Sequence, residues 1–483
     1  MRNSHIEGLE PKAIEGFDGV RAYDGFPSVA FQEAFDETAR KFAERDMTVD
    51  GTRHFDMLVL SSGGVNGAFG AGVLTSWTKR GDRPEFWIVT GVSVGALMAP
   101  FVFAGPQFDE RIEELFRSRK PSDLHREKGV ISSVLWDESL ADNRPLVDLI
   151  TDGMDEDLMN AMADRHEEGR RCWVGSTNMD MGQFCVWDLG AIATRRSPEA
   201  LELMRQVLTA SAAIPVVYPP VRFESEEGSE LHSDGAVTRP MFLPNNVFDA
   251  KVSVERAGLD WGEIKRRMFV IHNGCMRPSP ATLQRDTLAI ATRTVLMMSY
   301  TMAAEHVLHL YLLSRAWGAE FQFHTMPPGQ ELELTTFKPE DTDRLFVLGQ
   351  GLMEREEPWL DSPPGYVLGP DLERIRPVDT ESQRAGGPVA AAATPEEPKL
   401  DVDVAGHLQR IAVQIQKLQD TVQKLCERQD AAEKAAAEQA AGEGANGEKA
   451  AGEEAAGEQA AGEEGGAQKP GKGKGKGKGG SDG

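Results

Sequence analysis

Phe86-Trp87-Ile88-Val89-Thr90-Gly91-Val92-Ser93-Val94-Gly95-Ala96-Leu97-Met98-Ala99 is the stretch whose reading decides the fold. Its first five residues are aromatic or β-branched and read as a buried strand, and Ala96 to Ala99 reads as the start of a helix. Gly91-Val92-Ser93-Val94-Gly95 therefore has the strand–turn–helix setting of a nucleophile elbow. The turn is too tight for side chains two positions either side of the serine, so both positions are glycine. Such a turn lifts the Ser93 hydroxyl off the sheet towards the N-terminus of the next helix, where free N–H groups favour a developing anion. Gly-x-Ser-x-Gly alone is a weak signal in a chain with 49 glycines, so its surroundings have to carry the reading.

Upstream, the apolar strand Met57-Leu58-Val59-Leu60 runs into Ser61-Ser62-Gly63-Gly64-Val65-Asn66-Gly67, and a helical stretch follows from Ala68 to Lys79. Consecutive glycines after a strand expose backbone N–H groups, which suits an oxyanion hole. The rival is a phosphate-cradling dinucleotide loop, favoured by Gly70 and Gly72 but lacking the acidic residue about 20 positions on that such a site uses. Downstream come Ser211-Ala212-Ala213-Ile214-Pro215, then Pro219-Pro220, then Leu231-His232-Ser233-Asp234-Gly235-Ala236.

In this order, the glycine-rich loop, the elbow, the Ser-x-x-Ile-Pro segment and the Asp-Gly-Ala motif resemble the patatin-like phospholipase family over roughly residues 55 to 355. Trp187 to Ala193 also looks like family sequence. The resemblance implies an α/β fold of three layers with a central, mostly parallel sheet. It implies a lipid acyl hydrolase with a serine–aspartate dyad: Ser93 as nucleophile, Asp234 as general base, and Gly63, Gly64, Val65, Asn66 and Gly67 as the oxyanion loop. Asn66 stands where many members carry Arg or Lys, which removes a cation, although its amide can donate. For Asp234 the competing reading is a turn residue before Gly235, since Asp-Gly favours turns. The non-enzymatic alternative is a lipid-binding or scaffolding protein that keeps the fold without turnover.

A histidine triad is the mechanistic rival, and His272, at the end of the strand-like Phe269-Val270-Ile271, is its best candidate. His306 and His309 share one expected helix, but an H-x-x-H without a flanking carboxylate pattern is a poor zinc signal. The four cysteines (Cys172, Cys185, Cys275 and Cys426) have neither metal spacing nor a disulfide pattern. A serine–aspartate dyad needs no metal or cofactor.

A formal net charge of −25 argues against nucleic acid and against spontaneous adsorption to anionic bilayers. Contact with a membrane surface would have to be transient and apolar, and Gly129 to Trp136 could be a docking patch or an ordinary buried strand. The N-terminal residues lack the apolar stretch of a secretory signal, so a cytoplasmic location is expected, with signal-less secretion left open. Trp87 to Gly105 is uncharged but carries the elbow and several glycine or proline positions, and so reads as strand, turn and helix rather than a membrane span.

The expected organisation is an extension over 1–54 with one helix (Val29 to Arg45) and a catalytic domain over 55–360. A Pro/Ala-rich linker over 361–400, a coiled-coil helix over 401–428 and a disordered Ala/Gly/Glu and Lys/Gly tail over 429–483 complete it. Within the domain, Thr282 to Trp317 has helical spacing, Glu320 to Met326 reads as a strand, and Asp341 to Arg355 as a last helix. Val404, Leu408, Ile411, Ile415, Leu418, Val422 and Leu425 keep an unbroken a/d register, which favours a homo-oligomer through 404–425.

Overall fold

The computed structural model describes residues 10–45, 48–49, 52–117, 144–215, 218–225, 228–280, 282, 287–332 and 339–364. The expected coiled coil and tail, the expected linker beyond residue 364, and the run Gly129 to Trp136 lie outside the described residues.

In chain order, β1 (Arg21–Tyr23), α1 (Val29–Glu44), β2 (Thr48–Val49) and β3 (Thr52–Leu60) come first. Next are α2 (Gly67–Arg80), β4 (Ile88–Val92), α3 (Val94–Ala104), α4 (Asp109–Phe116), α5 (Arg144–Gly153) and α6 (Glu156–Glu167). Then follow β5 (Arg171–Asn178), β6 (Gln183–Asp188), α7 (Leu189–Ala193), α8 (Pro198–Ala212), β7 (Val221–Ser225) and β8 (Gly228–Asp234). The last are α9 (Ala250–Arg256), β9 (Lys265–His272), α10 (Thr287–Trp317), β10 (Ala319–Thr325) and α11 (Pro339–Met353).

The sheet runs in the order β1-β6-β5-β4-β3-β9-β10. From β5 to β10 every neighbouring pair is parallel, while β6 returns antiparallel beside β5 and β1 beside β6. Parallel strands carry crossover helices on both faces, so both faces of each strand must be apolar. The sequence obeys this: Leu58 and Leu60 enter one apolar core with Phe69, Trp77 and Phe346, whereas Met57 and Val59 enter the other with Phe31, Phe55 and Val307. The alternation of faces along β3 follows the period of two of an extended chain.

β8 pairs antiparallel with the end of β5, beyond the last residue of β4, with Ser176 opposite Asp234. This short ladder brings Asp234 to the edge of the sheet where β3, β4 and β9 also end. On one face, α2 and α11 touch backbone to backbone. A Cβ on Gly72 would collide with the Phe346 carbonyl, and one on Gly349 with the Phe69 carbonyl. Among the described residues no helix is long and apolar enough to cross a membrane.

Candidate active site

Ser93 follows β4 with φ 54° and ψ −124°, a left-handed conformation that costs a serine free energy and persists only where the surroundings enforce it. The surroundings here are backbone. A Cβ on Gly91 would meet the Gly95 carbonyl, and a Cβ on Gly95 would meet the carbonyls of Leu60 and Ser61 at the end of β3. The glycines flanking Ser93 therefore let β4 turn into α3 against β3. The Ser93 N–H donates to Ser211 Oγ (3.0 Å), and Ser211 Oγ in turn donates to the Gly175 carbonyl (2.6 Å). The Ser93 carbonyl accepts from Leu97 N–H at 3.1 Å and opens α3.

Ser93 Oγ donates to Asp234 Oδ2 at 2.6 Å. The other carboxylate oxygen, Oδ1, accepts the Ala236 N–H at 2.8 Å, the Asx-type bond that the Asp-Gly turn makes available. The turn reading and the juxtaposition with Ser93 thus describe the same residue. Its backbone is held on both sides, by Asp234 N–H to the Ala213 carbonyl (2.9 Å) and by Thr177 Oγ1 donating to the Asp234 carbonyl (2.9 Å). Ser93 and Asp234 are 4% and 3% exposed. Burial pushes the Asp234 carboxyl up to about 7, against the opposing pull of the hydrogen bonds from Ser93 and Ala236. No cation contributes to that balance.

The loop between β3 and α2 lies against the elbow, since a Cβ on Gly67 would run into the Val94 side chain. Gly64 to Asn66 form a short 3-10 turn, in which Asn66 N–H donates to the Gly63 carbonyl (3.1 Å) and Gly67 N–H reaches back to Gly64 and Val65. Of the five expected oxyanion positions, Asn66 and Gly67 therefore use their amides within the turn. Gly63 is the turn's N-cap and Gly64 and Val65 are its first two residues, so their amides have no partner inside it. The Asn66 side-chain Oδ1 accepts Leu332 N–H at 2.9 Å and ties the loop to the segment after β10. Asn273 braces the loop from below, with its N–H on Ser61 Oγ (2.8 Å) and its side-chain amide on the Ser61 carbonyl (2.9 Å).

His272 does not join this group. It ends β9, separated from β4 by β3, and its Nδ1 pairs with Thr325 Oγ1 at 3.2 Å. Burial pushes its imidazole down to about 4. His232, on β8, faces a separate buried cluster: Nδ1 lies 2.9 Å from Ser176 Oγ, and Nε2 lies 3.6 Å from Glu230, which also pairs with Arg21 at 2.8 Å. The Ser93 hydroxyl and both Asp234 oxygens are engaged without an imidazole. Among the described residues no group of His, Cys, Asp or Glu could hold a metal ion.

A strand-end loop, a strained serine turn and an aspartate brought in by an antiparallel return lie together at one sheet edge, and the sequence around them matches a known family. Residues 58–245 match the model of the patatin-like phospholipase family. They are a patatin-like phospholipase domain. The match ends before β9, but the sheet of the patatin-like domain continues through β9 and β10, with α11 packed on α2. No curated protein matches the chain. Among solved structures, VipD from Legionella pneumophila is 13% identical over 62% of this chain and 67% of its own, with a TM-score of 0.29, too low to bear on the argument.

Two contributors to the patatin-like site were not assigned a role from the sequence. Ser211 sits in the Ser-x-x-Ile-Pro segment, so a signal was present but its target was not. Asn273 follows the strand that offered His272, and nothing local marks it as the brace of a loop more than 200 residues earlier. Beside the elbow, Leu97, one turn past Ser93, lines an apolar groove with Pro100, Phe101, Leu149, Met154 and Leu208.

Proposed function

We propose that the chain is a lipid acyl hydrolase working through Ser93 and Asp234. The observation that carries this reading is the 2.6 Å hydrogen bond from Ser93 Oγ to a carboxylate that burial has made a competent base near neutral pH. An ordinary aspartate, titrating near 3.9, is too weak to take a serine proton productively. Ser93 Oγ attacks the acyl carbonyl as its proton passes to Asp234 Oδ2, and the oxyanion is met by amides of the Gly63 to Val65 stretch. Collapse expels the alcohol, which takes the proton from Asp234, and leaves an acyl-enzyme. Water then gives its proton to Asp234 and its hydroxide to the acyl carbon, and Asp234 passes that proton to the departing Ser93 oxygen, releasing the fatty acid and restoring Ser93.

The test is turnover of short- and long-chain nitrophenyl esters and of phospholipid vesicles by the full chain, with Ser93→Ala, Asp234→Asn and His272→Ala beside it. Ser93→Ala is expected to lose activity by about 10⁴-fold or more. Retention of activity in that variant overturns the reading, and a loss in a folded His272→Ala comparable to that in Asp234→Asn moves it to a triad.

A further inference from the structure

Helix α10 is longer than the sheet it crosses. Its 31 residues span roughly 46 Å at 1.5 Å per residue. The strands it connects, β9 and β10, have 8 and 7 residues, or roughly 25 Å at about 3.3 Å each. The C-terminal end is fixed at the start of the strands, where the Trp317 carbonyl accepts from Arg266 Nε at 2.8 Å. From Ala303 to Leu313 the helix contributes Ala303, Val307, Leu310, Tyr311 and Leu313 to the core. By His306 and His309 it has drawn level with Arg239, just past the Asp-Gly-Ala turn. The N-terminal half, Thr287 to Met302, therefore overhangs the sheet at the edge that holds Ser93 and Asp234.

The composition of this overhang does not suit water. Arg293 is the one charged residue between Thr287 and Ala304. Ile290, Val295, Met297 and Met298 are all exposed, Met298 by 64% and Val295 by 62%. Other exposed large apolar side chains lie on the same edge: Met179 and Met181 in the turn after β5, and Val237 three residues after Asp234. Exposed large apolar side chains gathered at one edge mark an interaction surface, and methionines adapt to a partner without fixed shape.

We propose that the overhanging half of α10, with the Met179–Met181 turn and Val237, is an interfacial docking surface for a lipid layer of zwitterionic or neutral headgroups. Two observations select a lipid layer as the occupant. These residues lie at the sheet edge that holds Ser93 and Asp234, whose substrate, on the reading above, is a fatty-acyl ester, and this inference rests on that reading. The chain carries a net charge of −25 and the overhang a single cation, so neither offers the basic face that anionic bilayers attract. Docking is by apolar insertion and presents the Ser93 edge to the layer.

The test is flotation of the full chain with phosphatidylcholine vesicles, in a Ser93→Ala background so that the lipid is not consumed. Ser93→Ala is expected to float and to stay bound in 1 M NaCl. Adding Ile290→Gln, Met297→Gln and Met298→Gln is expected to lower partitioning at least tenfold, and Leu312→Gln, exposed on the packed half of the same helix, to change it less than twofold. A triple variant that floats like its parent, a parent released by salt, or a parent that does not float overturns the proposal. So does a sedimentation mass that falls in the triple variant without vesicles, which assigns the surface to a second copy. With Ser93 intact, the triple variant is expected to keep kcat/KM on a short soluble ester within twofold and to lose at least tenfold on vesicles. If no ester is turned over by the intact chain, the catalytic reading falls while the flotation result still decides the docking.

Discussion

Glu230 and Asp234 stand four residues apart on β8, on the same face of an extended chain, and both are buried. Their protons are nevertheless held in opposite ways. Burial raises both carboxyls, but at Glu230 the His232 ring and the Arg21 guanidinium overcome it and bring the group down to about 2. At Asp234 burial wins, with only a hydroxyl and an amide opposing it, and the group rises to about 7. One carboxylate is a permanent anion inside a charge cluster, and the other can exchange a proton near neutrality. The comparison teaches that the neighbours of a buried carboxylate decide its chemistry, not the strand or the depth.

The largest expected effect breaks the comparison at its reactive member. Asp234→Asn keeps the shape and removes the base, and is expected to cost about 10²- to 10⁴-fold in kcat/KM on any ester the chain turns over. Breaking the other member costs stability rather than rate. Glu230→Gln leaves Arg21 buried without its counter-charge and is expected to lower unfolding free energy by about 3–5 kcal/mol, read by denaturant titration.

The two carboxylates also predict opposite pH dependences of stability. The folded chain binds the Asp234 proton more tightly than the unfolded chain does, so this group's contribution falls as pH rises from about 4 through about 7. Asp234→Asn cannot ionise, and at pH 8 it is expected to unfold at higher denaturant, by about 2 kcal/mol after allowing for the weakened bond to Ser93. Glu230 acts in the other direction, stabilising above the ordinary carboxylate range and losing that contribution as pH falls towards 2. For the wild type, kcat/KM on a soluble ester should rise tenfold per pH unit below about 7 and level off above it. A limb centred near 4 would mean that Asp234 has a charged neighbour during turnover. The smallest effect is expected for His272→Ala, under about twofold in kcat/KM, because its ring bonds Thr325 away from the serine.

The elbow was legible in the sequence because the tight turn itself demands glycine: Gly91 faces the Gly95 carbonyl four residues on, and Gly95 packs against the carbonyls at the end of the neighbouring strand β3. Asp234 was legible through the same Asp-Gly turn that supplies its second hydrogen bond. The helices and strands of the domain were legible through periodicity, with the described part of the expected Thr282 to Trp317 helix running Thr287–Trp317 and Asp341 to Arg355 shifting to Pro339–Met353. The exclusion of His272 was not legible, since a linear pattern does not say that β3 lies between β4 and β9. Neither was the bond from Asn66 to Leu332, which joins residues 266 positions apart with no local signature. The overhang of α10 was hidden for a related reason: hydropathy marks a face as apolar without saying whether the fold has anything to put against it.

The seam at Gly72 and Gly349 has a mechanical consequence. Helix α2 begins at Gly67, where the loop ends, and it is bolted to α11 with carbonyls seated against bare Cα atoms on both sides. Neither helix can slide along the other without driving an oxygen into a backbone, so the seam acts as a fixed datum from which the position of the preceding loop is measured. On the proposed mechanism, the amides of Gly63 to Val65 would be aligned before any ester arrives, and none of the activation barrier would go into moving them.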